Sequence, residues 1–549
     1  MSCKPRSVLS ELPSRRIFPI TFSLLAAAIL QALLPSIAMA EGLPSAGVVT
    51  QGQASINSSG GTMNINQSTH NAVIGWGAFD IANGNSVNFH VPGGGATLNQ
   101  ISGPASQIHG NLTSNGTLFL VNPNGVLFGQ GANVNIGSLL SSASHLDQHD
   151  FMNGNYHFTA AGAGTISNAG TITAGSGGYV VLAGAGDIQN TGTINVPGGS
   201  IQMVSADTFT LKLPTANPLL DITVDGTATG TKVSNTGTLT ANAITLSAAQ
   251  GVVSTYGTVK ATSIGDLKGS VNLSGTRLFV NEQVESDGTI KLSSQGTTRI
   301  EGNLIAGQNI EVSANDSITV ANSNLASKKG AVELSTERKI FMIGSKTAGN
   351  DIRLSAKGGD ASRQDGAVNI LNSTLTASSM NQGHGKLQIN GDFDVVGPIT
   401  PFEDSKKGVV ITGSTLNANE MVIKGSGSDG VHLAGGNTFV ANDVAIVGVA
   451  PAGYLGDSFR TGDGVKLTGS NTFTALNKIS IEGDGERYGV SFNGTSVFNA
   501  ANVSVTGNTE LSAPDYNYGI MFNGAVDLQS AGNFEFISNG QAIAVPRYL

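Results

Sequence analysis

Apolar and polar residues alternate along most of this chain. Ile310 and Val312, Ile318 and Val320, Ile479 and Ile481, and Val503 and Val505 each flank a single polar residue. A period of two belongs to a strand with one buried face. Beyond Ala40 no long stretch keeps the period of an amphipathic helix, so strands are predicted throughout. Glycine and asparagine punctuate these strands. Both accept positive φ, and they are expected to form the corners.

Two series repeat. One unit reads apolar-x-Asn-x-Gly-Thr-apolar over Ile166 to Ile172, Ile188 to Ile194 and Val233 to Leu239, with a degenerate copy from Val253 to Val259. Its glycines are Gly170, Gly192, Gly237 and Gly257, and the middle interval is about double the outer two. That spacing reads as one, two and one turns of a coil with roughly 20–23 residues per turn. The second series opens with Gly408, Gly430, Gly464, Gly489 and Gly519, at uneven and mostly longer intervals. The unevenness predicts insertions that loop out of regular turns. One turn cannot bury its own apolar face, but stacked turns bury it jointly. The expected fold is therefore all-β, a parallel β-helix with Val, Ile, Leu and Ala inside and Asn ladders at repeated corners. At about 4.8 Å per rung and roughly 20 rungs, a monomeric rod on the order of 100 Å is expected. Its end rungs need caps, because they expose strand edges. Gly42 to Asn88 is the candidate N-terminal cap.

Composition fits this picture. The 549 residues include 74 Gly, only 12% are charged and 5% are aromatic. Average Gly usage is about 7%, so this chain holds about double. An apolar fraction of 39% is too high for a disordered chain.

Residues 1–40 read as a signal peptide. Lys4, Arg6, Arg15 and Arg16 precede the apolar run from Ile17 to Leu34, and Ala38-Met39-Ala40 is a small-x-small cleavage site that sets the mature start at Glu41. Arg15-Arg16 leaves twin-arginine export open beside the general secretory route. Removing Lys4, Arg6, Arg15, Arg16 and Glu11 with the leader takes the formal charge from −9 to −12. No basic stripe remains, so nucleic acid is not an expected partner. The single Cys, Cys3, leaves with the leader. The mature chain then enters an oxidising compartment without disulfides.

Residues 69–158 depart from the repeats. Ile74-Gly75-Trp76-Gly77-Ala78-Phe79 holds the only Trp. Leu98-Asn99-Gln100-Ile101 follows, and then Asn115-Gly116 and Leu118 to Val121, a fully apolar strand. Asn122-Pro123-Asn124-Gly125 next makes a tight turn, in which Pro sets φ and Asn and Gly accept positive φ. Val126 to Phe128 returns as a strand. From about Ala46 to Phe158 this region resembles the N-terminal secretion domain of filamentous haemagglutinin-type exoproteins, including the high-molecular-weight adhesins and haem–haemopexin-binding exoproteins. The match includes Asp150-Phe151 and Gly154 to Phe158. The family's more N-terminal Asn-Pro-Asn-Leu motif is absent as such, and Leu98-Asn99-Gln100-Ile101 lies where a variant would fall.

The resemblance implies a right-handed parallel β-helix that begins within this domain. It also implies two-partner secretion, in which an outer-membrane β-barrel with periplasmic peptide-transport domains exports the chain. Asn122, Pro123, Asn124 and Gly125 are then the secretion motif, and Leu98, Asn99, Gln100 and Ile101 a secondary one. The turn chemistry favours a folding role over contact with the transporter. The expected domains are the secretion domain over 41–160, β-helix repeats over 161–400 and a C-terminal β-helix region over 401–549.

Other chemistry is weaker. His145 and His149 form H-x-x-x-H beside Asp147 and Asp150, which would suit zinc if both histidines shared a helical face. No Glu follows His145, and solvated loop residues are the plainer reading. Parallel β-helices also cleave polysaccharides with clustered carboxylates. Asp360, Arg363 and Asp365, and Asp457, Arg460 and Asp463, are such clusters, in Gly-rich stretches that read as solvated turns. No enzyme, cofactor or metal is expected. The reading is a secreted or surface-exposed adhesin of a diderm bacterium that binds an unknown host-surface protein or glycan through loops on a rigid rod. The alternatives are a soluble binder of a haem-carrier protein and, further off, a polysaccharide lyase or hydrolase.

Overall fold

The computed structural model describes residues 42–212, 221–224, 229–358, 366–379, 385–393, 406–451, 462–509, 518–529 and 532–540. From Thr62 onward each coil visits three faces in turn. Thr62–Gln67 lies on face one and Asn71–Trp76 on face two, while Ile81 bridges to Ile108 on face three. The next coil repeats the order with Ser86–His90, Ala96–Ile101 and Ser106–Ile108. Hydrogen bonds join 48 strands into one continuous sheet among the described residues. Its strand pairings are parallel apart from two at the N-terminal end, so the fold is a parallel β-helix. There Val48–Gln51 pairs antiparallel with Asn71–Trp76, and Ala54–Ser59 with Thr62–Gln67. These two strands cap the first rung within the stretch expected to do so.

The alternating pattern fills the interior. Ile172, Ile194 and Leu239 stack on face one, Ile201 and Ile244 on face two, and Ile188 and Val233 on face three, all buried. Regular turns are short: Leu118 pairs directly with Leu139, and Val180 with Ile201. The doubled interval between Gly192 and Gly237 is one turn rather than two. Asn190 pairs directly with Asn235, and the extra length is an excursion between Ser205 and Lys232. The stretches of chain between the strands of faces two and three are long after Ser142, Ser205, Ala356, Asp392, Val449 and Thr509.

The repeat glycines serve a different purpose from the one expected. Gly192, Gly237 and Gly257 are not among the residues with positive φ. A Cβ on each would sit 2.1, 2.0 and 2.2 Å from the carbonyl oxygen of the glycine one rung below. The second series has the same cause where faces two and three converge. A Cβ on Gly425, Gly448, Gly483 or Gly507 of face two would meet the carbonyl of Gly430, Gly464, Gly489 or Gly519 within 1.9 Å. Two glycine columns thus bring two backbones into contact. Only some closing corners use positive φ, as at Gly413, Gly469 and Asn372.

The first two excursions build a separate four-stranded antiparallel sheet from His145–Leu146, Tyr156–Thr159, Phe209–Lys212 and Asp221–Val224. Its apolar side packs on the outside of face two. Leu146, Phe151, Phe158 and Phe209 cover Leu98, Phe119, Leu140 and Val181. Strands Tyr179–Gly184 and Ser200–Ser205 are therefore buried on both sides. The apolar run Leu118 to Val121 has the same origin, since a strand buried twice has no polar face to show.

Candidate functional site

The Asn122–Gly125 turn joins face two to face three in the third coil. It is a tight turn, with Gly125 N donating to Asn122 O at 2.9 Å and Gly125 at φ +106°. Asn122 is fully buried and every group of its side chain is used. Its Nδ2 donates to Pro104 O at 2.8 Å and Ser106 Oγ at 3.1 Å, and its Oδ1 accepts from Asn124 N at 3.0 Å. Asn124 is exposed and donates through Nδ2 to Gly103 O at 2.8 Å. The turn also touches the coil above, where Gly164 N donates to Pro123 O at 3.2 Å. A Cβ on Gly125 would lie 2.5 Å from Thr165 O. Four residues thus hold three successive coils in register. Ser106 and the glycines at 162 and 164 escaped notice in the sequence, because a lone Ser or Gly carries no signal without the rung alignment.

Leu98-Asn99-Gln100-Ile101 lies in the second coil, on face two. Leu98 points outward under the extra sheet and Ile101 belongs to the inner core. Asn99 is buried: its Oδ1 accepts from Trp76 Nε1 at 2.9 Å, and its Nδ2 donates to Phe119 O at 3.3 Å. Trp76 in turn meets Phe79 edge-on at 5.4 Å. Gln100 donates to Leu146 O at 2.7 Å and accepts from Gln148 Nε2 at 2.6 Å. Thr50 Oγ1 donates to Gln148 Oε1 at 3.1 Å. One side-chain chain therefore links the cap strand, the second coil and the first excursion. The structure brings this tetrapeptide and the strand leading into the Asn122 turn side by side on adjacent coils, since Leu98 pairs with Phe119.

The histidines do not share a helical face. His145 lies in a two-residue strand, and His149 lies in the short helix Gln148–Met152. Asp147 caps that helix, accepting from His149 N at 2.8 Å and Asp150 N at 3.1 Å. The Asp150 and His149 amides hold its carboxyl below the usual range. Among the described residues no group of three or more His, Cys, Asp or Glu could hold a metal.

Ala38, Ala40 and Glu41, the cluster Asp360, Arg363 and Asp365, and Asp457 and Arg460 all lie outside the described residues. Asp463 lies within them, buried on face three. Ser491 Oγ donates to its Oδ2 at 2.5 Å. Burial pushes its carboxyl up to about 6, against the pull of the Ser491 hydroxyl, and neighbouring Asp429 adds to the rise. One coil earlier, Lys407 Nζ and Lys466 Nζ approach Asp429 Oδ2 at 3.7 and 3.6 Å. Lys407 Nζ also lies 3.0 Å from His432 Nδ1, and His432 Nε2 lies 3.0 Å from Thr468 Oγ1. Burial, reinforced by Lys407 and Lys466, presses His432 down to about 3. These groups pair along the stacked coils, yet Asp463 Oδ1 is buried without a hydrogen-bond partner among the described residues.

Residues 40–292 match the TPS secretion domain family. A heme/hemopexin-binding protein of Haemophilus influenzae is 31% identical over 222 residues, which are 38% of this chain and 24% of that protein. A second Haemophilus influenzae protein of the same name is 40% identical over 99 residues, 18% of this chain and 11% of the relative. The match thus spans a quarter or less of the length of these curated relatives. The crystal structure of the HMW1 secretion domain from Haemophilus influenzae superposes with a TM-score of 0.38 at 17% identity, over 90% of this chain and all of that one.

Proposed function

We propose that this chain, a two-partner secretion exoprotein by its N-terminal domain, is an adhesin exported by an outer-membrane β-barrel with periplasmic peptide-transport domains. Exoproteins of this pathway pass through the periplasm, and the chain is secreted or displayed at the cell surface. The observation that carries the export reading is the Asn122–Gly125 turn, whose side chains are spent on neighbouring coils. Asn122, Pro123, Asn124 and Gly125 act as the secretion motif by nucleating the coil as it emerges. Leu98, Asn99, Gln100 and Ile101 assist by tying the cap to the second coil. Export of Asn122→Ala and Asn124→Ala variants into the medium is the test. Undiminished secretion of both variants would sink the motif assignment.

Adhesion is supported by the architecture: the long intervals of chain recur at one corner of a stack of coils, which would bring their residues to a surface together. The relatives' names favour a second reading, a soluble binder of a haem-carrier protein. Attachment of coated beads to host cells, set against capture of haem-loaded haemopexin in solution, separates the two. A catalytic role is not part of this proposal. Cleavage of acidic polysaccharide by the purified chain, lost on Asp463→Ala, would bring it back.

A further inference from the structure

One buried cluster in the C-terminal coils is explained neither by export nor by packing. Three successive coils contribute to it where their face-three strands begin: Lys407, then Asp429, then Asp463 and Lys466. The Asp429 side chain is 5% exposed, and those of Lys407 and Lys466 are 21% and 27% exposed. Ion pairs of the middle coils, such as Arg353 with Glu333 and Lys357 with Glu337, lie at the surface. Here two mostly buried ammonium groups converge on one buried carboxylate, and a second carboxyl lies in the next coil.

The two oxygens of Asp429 are held differently. Oδ1 accepts from the backbone N–H of Asp463 at 3.2 Å. Oδ2 faces Lys466 Nζ at 3.6 Å and Lys407 Nζ at 3.7 Å. Lys407 Nζ is also engaged with His432 Nδ1 at 3.0 Å. Asp429 Oδ2 is the one polar group that Lys466 Nζ meets among the described residues. Asp463 is 1% exposed. Its Oδ2 accepts from Ser491 Oγ, and its Oδ1 has no hydrogen-bond partner among the described residues. Such an atom costs stability, and a catalytic role is one of the few physical reasons for keeping it.

We propose that Lys466 and Asp429 condense into an intramolecular amide bond that staples two adjacent coils, with Asp463 as the proton carrier. The inference is independent of the adhesin reading. The Nζ–Cγ bond forms and the Cγ–Oδ2 bond breaks. The Lys466 ammonium gives up two protons, and both leave with Oδ2 as one water, so no oxidant, metal or cofactor is needed. Asp463 takes the first proton, which frees the Nζ lone pair for attack on Cγ, and returns it to the departing Oδ2. Burial makes its carboxylate a stronger base than a solvated one. The Asp463 N–H already points at Asp429 Oδ1, where negative charge develops in the tetrahedral intermediate. The Lys407 ammonium faces the same carboxyl and balances that charge.

The bond does the work of a disulfide in a chain whose only Cys, Cys3, precedes the described coils. It closes a loop around the long interval after Val449, and a cross-link stabilises more as the loop it closes grows. The reacting groups meet only when the coils stack, so the bond follows folding and does not hinder passage of an unfolded chain.

The test is the intact mass of the secreted full chain, with tandem mass spectrometry of its peptides. Wild type is expected to weigh one water less than the sequence from its observed N-terminus, with a branched peptide joining Asp429 to Lys466. Lys466→Arg keeps the charge and is expected to show the full mass, with a far-UV circular dichroism spectrum that matches wild type. Lys407→Arg is expected to stay linked. Freshly secreted Asp463→Asn is expected to hold a larger unlinked fraction that falls on incubation, because the ion pair alone supplies both protons. A wild type of full mass overturns the inference and leaves an ion-pair cluster only. So does a loss of water that maps to a succinimide at Asp429-Gly430 or Asp463-Gly464, the other dehydration open to these residues. A link lost in Lys407→Arg and kept in Lys466→Arg overturns the choice of nucleophile, and equal unlinked fractions in wild type and Asp463→Asn overturn the role of Asp463.

Discussion

At the residue scale the two asparagines of the Asn122–Gly125 turn make opposite claims on its proposed role in secretion. Asn122 is buried with three hydrogen bonds, and Asn124 is exposed with one. Truncating Asn122 leaves Pro104 O without its side-chain donor, at a cost of about 1–3 kcal/mol, whereas the exposed bond of Asn124 is worth about 1 kcal/mol. If the motif works through folding, export should fall in the order of these losses, Asn122→Ala more than Asn124→Ala, and thermal midpoints should follow. If the transporter reads the turn directly, the exposed Asn124 should matter more. Secreted yield and thermal melts of both variants decide between the two. Asp463 and His432 provide a second test. The folded carboxyl of Asp463 titrates near 6 rather than 3.8. The fold is therefore penalised above that pH and gains stability as pH falls from 6 towards 3.8. Two pKa units correspond to about 3 kcal/mol at most. His432 has the opposite sign. Its folded pKa of about 3 lies below 6.5, so stability is lost as pH falls from 6.5 towards 3. The two slopes oppose each other between pH 6 and 4. Asp463→Asn is expected to raise the melting midpoint at pH 8 and leave it unchanged near pH 3.5. A midpoint that shifts equally at both pH values would contradict the buried-carboxylate account.

At the element scale the extra antiparallel sheet is the clearest gap between sequence and structure. The repeats, their alternation, the Asn ladder and the apolar Leu118 to Val121 could all be read from residues. Asn168 Nδ2 donates to Asn190 Oδ1, and Asn190 Nδ2 to Asn235 Oδ1, each at 2.8 Å, as the repeat implied. The extra sheet could not be read, because its strands are very short and its central pair, Phe158 and Phe209, come from two separate excursions. The glycine columns were visible as a pattern, yet their cause was hidden. Close approach between backbones of different coils leaves the same mark in a sequence as a need for positive φ. The Asn122–Gly125 tetrapeptide was legible as a turn, but its buried partners were not, since Pro104 and Ser106 belong to the coil below. Phe158 and Phe209 stack with centroids 4.6 Å apart over face two. Phe158→Ala is expected to cost about 3–5 kcal/mol and to loosen the excursion while the coils beneath persist. Limited proteolysis should then cut between Ala143 and Thr165 with far-UV circular dichroism unchanged. Loss of the parallel-strand signal itself would show that the sheet holds up the coils rather than covering them.

At the scale of the whole described chain, outside the extra antiparallel sheet each coil pairs its strands with the coils directly above and below, so stability is distributed along the stack. The coils differ in what each must order. On face two, the pairing steps from Val271 through Ile290, Ile310 and Val332 to Ile352 are short, with little chain outside the strands. From Ile352 to Leu387 and on to Met421 the steps lengthen by more than half. The coils from Asn71 to Ser205 carry excursions as well, but these add a second apolar layer. The Asn533–Asn539 strand has a neighbour on one side only among the described residues, and its Phe534 and Phe536 are only half-buried. Local opening should follow this order. Backbone amide exchange is expected to be slowest in strands between Ala96 and Ser205 and between Ser270 and Ala356, faster beyond Lys386, and fastest from Tyr518 onward. The ion pairs that link middle coils, such as Arg353 with Glu333 and Lys357 with Glu337, are exposed and are expected to add under about 1 kcal/mol each. Half-molar salt should therefore leave the exchange order unchanged. A single exchange rate for all strands would mean that the stack unfolds as one unit, and a salt-induced collapse of protection between Ser270 and Ala356 would mean that charge ladders, not buried Ile, Leu and Val, hold the middle coils together.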